Sequence, residues 1–227
     1  MTAMTRNWTP PANFEDWLSH VFDRPVSQPE WFRATTDEAS WEPRADSFLA
    51  YLAKTFEQPE AAFGRFTDAQ VRQGLNFLIN PSCSNAIFAL KDAKFSWTKR
   101  ERVVRAIPSL FKYFAKRCSP ALAHLDEKGA NPLNSICYMW WDVIPLYGDT
   151  KNAEQKNIDL EALAAMKSTL EVNHAVCQES ALHGLGHWLF EYRDQVEKII
   201  DEFLACNDKL RPELKHYALN ARAGKVQ

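Results

Sequence analysis

No two cysteines in this chain stand at Cys-x-x-Cys spacing. The five present, Cys83, Cys118, Cys137, Cys177 and Cys206, are odd in number and far apart, which excludes zinc-finger and thioredoxin-type motifs. Free cysteines on apolar helix faces act as small hydrophobes, and a reducing cytoplasm is the expected compartment. Glycine is scarce, with seven in 227 residues, too few for a turn-rich β protein. There is no run of about 18 apolar residues, so no membrane-spanning helix is expected. Residues 1–8 contain no apolar stretch of the secretory-signal kind. Neither charge dominates: the net charge of −2 provides no general attraction to nucleic acid or anionic lipid. The His-Glu-x-x-His string of zinc proteases is also missing, and nothing in the chain reaches the strength of a catalytic signature.

What is present is aromatic and helical. Apolar residues make up 46% of the chain, with eight Trp and fourteen Phe as bulky packing groups. The length suits one domain, or an elongated array. Residues 1–45 read as an irregular, aromatic-rich segment packed on the rest, with one short helix opened by Asn13. A capping box at Thr67–Gln70 starts a helix that Asn80-Pro81 ends. Ser96 is expected to cap a long helix over 97–117, which Pro108 should kink or divide. Asn131-Pro132 starts a nearly all-apolar helix over 133–143. Asp159 is expected to cap the next helix, and a final helix runs over about 212–223, ended by Gly224.

The chain is organised around residues 173–189, with Asn173 as the expected N-cap. On a helical wheel Cys177, Ala181, Leu182, Gly184, Leu185, Trp188 and Leu189 share a core face. Glu179, His183 and His187 share another with Val176 and Phe190. His183 and His187 are four apart, so their imidazoles lie one above the other on one helix. Glu179 and His187 are eight apart, about 12 Å along the axis, and cannot share one ion. At most two of these three groups can bind a metal, with further ligands needed from elsewhere. Otherwise the groups are hydrogen-bonded to neighbouring helices or line a groove. No cofactor is expected. Gly184 and Gly186 each cost about 1 kcal/mol against Ala in a helix interior, a cost that close approach of another helix would justify.

The string Glu-Ser-Ala-Leu-His-Gly-Leu-Gly-His, residues 179–187, resembles the second helix of a HEAT-like repeat, and residues 160–170 resemble the first helix of the same pair. A 37-residue offset places Ala221 and Ala223 where Gly184 and Gly186 stand. The resemblance implies an all-α superhelix of stacked antiparallel helix pairs, here 68–79 with 84–91, 97–117 with 132–145, 159–171 with 174–189, and 193–206 with 211–223. A compact helical bundle is the alternative. The class implied is a binding module, with a protein the expected partner and nucleic acid less favoured. Some HEAT-like proteins act instead on alkylated DNA bases through a basic groove with aromatic and acidic residues.

Two further features bear on these alternatives. Arg102, Arg105, Lys112 and Lys116 recur on one face of the long helix, either as a docking strip or as a solvated face bridged to acidic neighbours. Trp140 and Trp141 point about 100° apart, so that one could face a groove, though core packing is the favoured reading of both; Asp142 beside them is a candidate buried carboxylate or helps to end the helix before Pro145. The enzyme alternatives are therefore a groove site around Glu179, His183 and His187, as in a metal-dependent hydrolase, or a base-acting site using Trp140, Trp141 and Asp142. Residues 1–117 carry 16 basic and 13 acidic groups and the remainder 11 and 16, an asymmetry that could orient a partner of mixed charge.

Overall fold

The computed structural model describes residues 8–226; the first seven residues of the aromatic N-terminal segment and Gln227 lie outside it. Among the described residues every regular element is helical. Twelve α-helices follow one another: α1 Phe14–Phe22, α2 Asp37–Ser40, α3 Ala45–Glu57, α4 Pro59–Phe63, α5 Asp68–Ile79, α6 Trp97–Arg117, α7 Pro132–Tyr138, α8 Trp140–Val143, α9 Lys156–Leu170, α10 Ala175–Trp188, α11 Arg193–Cys206 and α12 Pro212–Arg222. Three short 3₁₀ turns join them, at Trp31–Arg33, Ala86–Leu90 and Ala123–Leu125. No helix among the described residues is long and apolar enough to cross a membrane.

The predicted caps at Asn13, Thr67 and Asn131 form as expected. Asn13 accepts from the Glu15 and Asp16 amides, Thr67 and Gln70 close a reciprocal box, and Asn131 with Asn134 closes another ahead of Pro132. Other boundaries differ. Pro108 does not divide α6, which is continuous over 21 residues. The proline removes one helical bond, but Val104 and Ile107 before it and Leu110 and Phe111 after it are fully buried, and packing on both flanks holds the line. The apolar helix predicted over 133–143 breaks at Met139 into α7 and α8. Pro145 then holds Ile144 extended and ends α8. Asp159 is not a cap. It lies within the first turn of α9, buried, where it accepts from the Asp149 amide and the Tyr192 hydroxyl. Nor does Asn173 cap α10, whose N-cap is His174.

One continuous core runs from Trp17 to Ala221. The long helix α6 lies between α3 on one side and α9 on the other, while α7 packs on α5 and α10. In the C-terminal half α10 is the hub, touching α6, α7, α8, α9, α11 and α12. That hub position changes the reading of residues 173–189. The core face is buried as expected, but the second face is buried too over its first two turns, at Val176, Glu179 and His183. It emerges from the protein only at His187, and beyond the helix Phe190 is 81% exposed.

The two glycines of α10 supply the close approaches that their positions demand. A Cβ on Gly184 would lie 2.6–2.9 Å from Trp141 atoms, so Gly184 is what lets α8 pack flat on α10. A Cβ on Gly186 would lie 2.7 Å from the Val226 methyls and 3.3 Å from the Ala221 Cα, which fixes the end of α12 on the same helix.

Candidate metal centre

Gly184 follows His183, and Trp141 precedes Asp142. The contact between Gly184 and Trp141 therefore sets Asp142 against the histidine pair of α10. Asp142 Oδ2 lies 2.8 Å from His183 Nε2 and Asp142 Oδ1 3.4 Å from His187 Nε2. The two Nε2 atoms are 3.2 Å apart. All three groups offer a ligand atom within 4.8 Å of the others. A tetrahedral ion bound at about 2.0–2.1 Å needs donors about 3.3 Å apart; the two imidazole nitrogens meet that spacing, while Asp142 approaches them with different oxygens, so that one ligand atom from each residue falls within 4.8 Å of the others. A proton on one Nε2 serves only part of this set, whereas a cation serves all three lone pairs.

The site is graded from core to surface. The His183 side chain is 2% exposed, that of Asp142 26% and that of His187 49%. Burial pushes the His187 pKa below its ordinary value, opposed by the Asp142 carboxylate and aided by His183. His187 is thus neutral near pH 7, the form that ligates metals. The open side faces a cleft of about 350 Å³ whose walls include Trp141, Leu146, Tyr147 and Trp188.

Behind the site stands a buried polar network. His183 Nδ1 is 2.7 Å from the Tyr217 hydroxyl, which is 3.2 Å from the Tyr138 hydroxyl. Burial, then the Tyr138 bond, raises the Tyr217 pKa far above the usual phenol range, so Tyr217 stays a neutral partner for the imidazole. This matches the outer-shell contact that fixes the tautomer of metal-binding histidines. The Tyr217 ring also stacks at 4.2 Å on His124, whose Nδ1 is 2.5 Å from Glu179.

Several predicted site residues are placed elsewhere. Glu179 belongs to no groove. It is fully buried, and its carboxylate accepts from the Ala123 and His124 amides at 3.0 and 2.9 Å, pinning the 123–125 turn to α10. Trp140 and Trp141 are 0% and 3% exposed; Trp140 lies in the core, and Trp141 reaches only the wall of the cleft beside Asp142, so the two indoles do not form an open stacking surface together. Asp142 is not the buried carboxylate expected; it opens to solvent and faces His183 and His187. The basic strip is largely neutralised: Arg102 pairs with Glu57, Arg105 with Glu161 and Glu101, and Lys116 with Glu60. Lys112 alone of the four has no ion pair among the described residues. The face is bridged to acids of α3, α4 and α9, the alternative the sequence reading had set beside a docking strip.

Tyr217, Tyr138 and His124 behind the site are not among the residues the sequence singles out. One signal for Tyr217 was available: Leu214, Tyr217, Ala218 and Ala221 form the buried stripe of α12, and a buried tyrosine hydroxyl needs a partner. No protein-family model matches the chain, and neither the curated proteins nor the solved structures yield a match.

Proposed function

We propose that this protein is a mononuclear metalloprotein of hydrolytic type, binding a first-row divalent cation, zinc in first place, through Asp142, His183 and His187. One observation carries the reading: three donors from two helices converge within 4.8 Å and leave an open side toward a cleft. Three protein ligands with a free position are the pattern of catalytic rather than structural zinc. Two histidines and one carboxylate also suit ferrous iron, and metal analysis separates the two. Bound there, the ion supplies Lewis acidity and an activated water, which suits hydrolysis of an ester or amide carbonyl. The chain's own part is to hold His183 through Tyr217, to keep His187 neutral, and to wall the cleft with aromatic side chains that limit water.

The test is elemental analysis of protein purified without chelator, beside a His183→Ala, His187→Ala double variant. Supported by this reading is close to one zinc per chain that vanishes in the variant while its helical circular dichroism is kept. Wild-type protein that takes up no zinc, iron or manganese, even after incubation with each, refutes it.

A second reading, a helical binding module for a protein partner, has one observation in its favour. Phe190 at 81% and Tyr147 at 52% exposure are large aromatic groups open to water, Tyr147 in the wall of the cleft. A HEAT-like stacking of helix pairs belongs with this reading, and α9 with α10 and α11 with α12 do pack as neighbours. Five free thiols suit a reducing cytoplasm under either reading.

A further inference from the structure

The cleft beside the metal donors has one charged wall residue that the site itself does not use. Glu191 lines it together with Asp142 and His187, and no Lys or Arg does. α10 ends at Trp188, and the chain then turns, with the Glu191 and Tyr192 amides both donating to the Trp188 carbonyl. That turn brings Glu191 to the same cleft as His187. The Glu191 carboxylate is fixed at one oxygen only. Oε2 accepts from the Thr150 hydroxyl at 2.6 Å and the Thr150 amide at 3.2 Å, while Oε1 accepts from no group among the described residues. These two Thr150 bonds hold the carboxyl below its usual pKa range, Lys151 adding a smaller attraction. The remaining walls are apolar or aromatic: Trp141, Leu146, Tyr147 and Trp188.

An oriented carboxylate with one free oxygen stands beside aromatic walls and the candidate metal donors, with the Lys91 ammonium already 4.5 Å from the centre of the Tyr147 ring. The Glu191 carboxylate attracts a cation, and the aromatic walls suit one with an apolar body. We infer that the cleft binds a primary ammonium compound with an apolar or aromatic side chain, Glu191 holding the ammonium group and the metal centre facing the neighbouring oxygen function. The chemical class is the N-terminal residue of a peptide, or an amino acid amide or ester. The cleft, about 350 Å³, is at the small end for ligand sites and suits one or two amino-acid residues, not a long polymer. This inference rests on the metal reading for the role of the oxygen function, and on Glu191 alone for the choice of ammonium.

The test uses L-phenylalaninol, which carries the ammonium, the aromatic body and an oxygen but has no bond to hydrolyse, beside its N-acetyl form. Binding of each to zinc-incubated full-length protein is measured by calorimetry near pH 7, with zinc per chain measured on the same samples. Glu191→Gln keeps an acceptor for Thr150 and removes the charge. The wild type is expected to prefer the free amine by at least about tenfold, the size of a charge-assisted hydrogen bond. Glu191→Gln should erase that preference and leave the weak binding of the acetylated form unchanged. Equal binding of the two forms, an unchanged preference in Glu191→Gln, or no binding of either overturns the inference. If zinc is bound in any of those cases, the metal reading still stands. A preference that depends on Glu191 in protein without zinc supports the ammonium site and sinks the metal reading.

Discussion

Replacing Gly184 with Ala tests how the metal donors are brought together, because Gly186 two residues later provides an internal control. Each change removes one glycine from the interior of the same helix and gains about 1 kcal/mol of helix propensity. They differ in what the new methyl meets. At Gly184 it would lie 2.6 Å from the Trp141 Cγ and 2.7 Å from its Cβ. The Cβ is tied to the α8 backbone, and the indole is 3% exposed in the core, so relief requires α8 to move. Overpacking of this kind costs about 1–3 kcal/mol, and a contact so close to backbone belongs at the upper end. The net expectation is a loss of about 1–2 kcal/mol. At Gly186 the methyl meets the side-chain tips of Val226 at 2.7 Å and the Ala221 Cα at 3.3 Å; side-chain tips give way more easily than the Trp141 Cβ, so the clash offsets the propensity gain and the loss is smaller than at Gly184.

The same displacement acts on the metal site, because Asp142 follows Trp141 directly. Metal–ligand distances tolerate about 0.2 Å, so a shift of α8 large enough to admit a methyl takes Asp142 out of the donor set. Gly184→Ala should weaken zinc binding by at least about tenfold, measured by competition with a chromophoric chelator, while Gly186→Ala stays close to wild type. Urea unfolding reports the stability difference. If the two variants have the same unfolding midpoint and the same zinc affinity, the account of Gly184 as the contact that delivers Asp142 is wrong.

Two further outcomes follow from the buried polar groups. Tyr217→Phe removes the hydroxyl that meets His183 Nδ1 at 2.7 Å; zinc affinity should fall by about 10–100-fold, as for other outer-shell partners, with the circular dichroism spectrum kept. His20 has its pKa lowered from 6.5 to about 4, chiefly by burial and then by the Arg24 charge, against Glu38, and its Nδ1 faces Arg24 Nη2 at 2.9 Å. The folded state thus refuses a proton that the unfolded chain accepts below pH 6.5. Its contribution is complete above that pH and is lost as pH falls from 6.5 toward 4, with a slope of up to about 1.4 kcal/mol per pH unit. Unfolding midpoints measured across that window should fall more steeply for wild type than for His20→Gln; parallel curves would count against the buried neutral imidazole.

What could be read from sequence divides along the range of the interactions involved. The caps at Asn13, Thr67 and Asn131 are local, set by residues two or three apart, and they form as expected. So is the placing of His183 and His187 on one face, since a spacing of four fixes it in any helix. The surroundings of that face are not local. A wheel assigns Glu179 to a polar face, but whether that face meets water depends on what α12 and the 123–125 turn do some 40–55 residues away in the chain. Because α10 is a hub with neighbours all round, a face with a carboxylate and a histidine is covered, and the carboxylate is satisfied by the Ala123 and His124 amides and the His124 ring. At residues 140–142 the reading of the two tryptophans as core packing holds, while Asp142 beside them reaches the candidate site. The clue to that was the pair of glycines on α10. A glycine that costs about 1 kcal/mol inside a helix marks a place where something bulky comes close, and here the bulky group is the indole next to Asp142. Glycine positions on a hub helix thus show where a neighbouring element comes close, here the one that carries Asp142 to the histidine pair, which the periodicity of α10 alone does not.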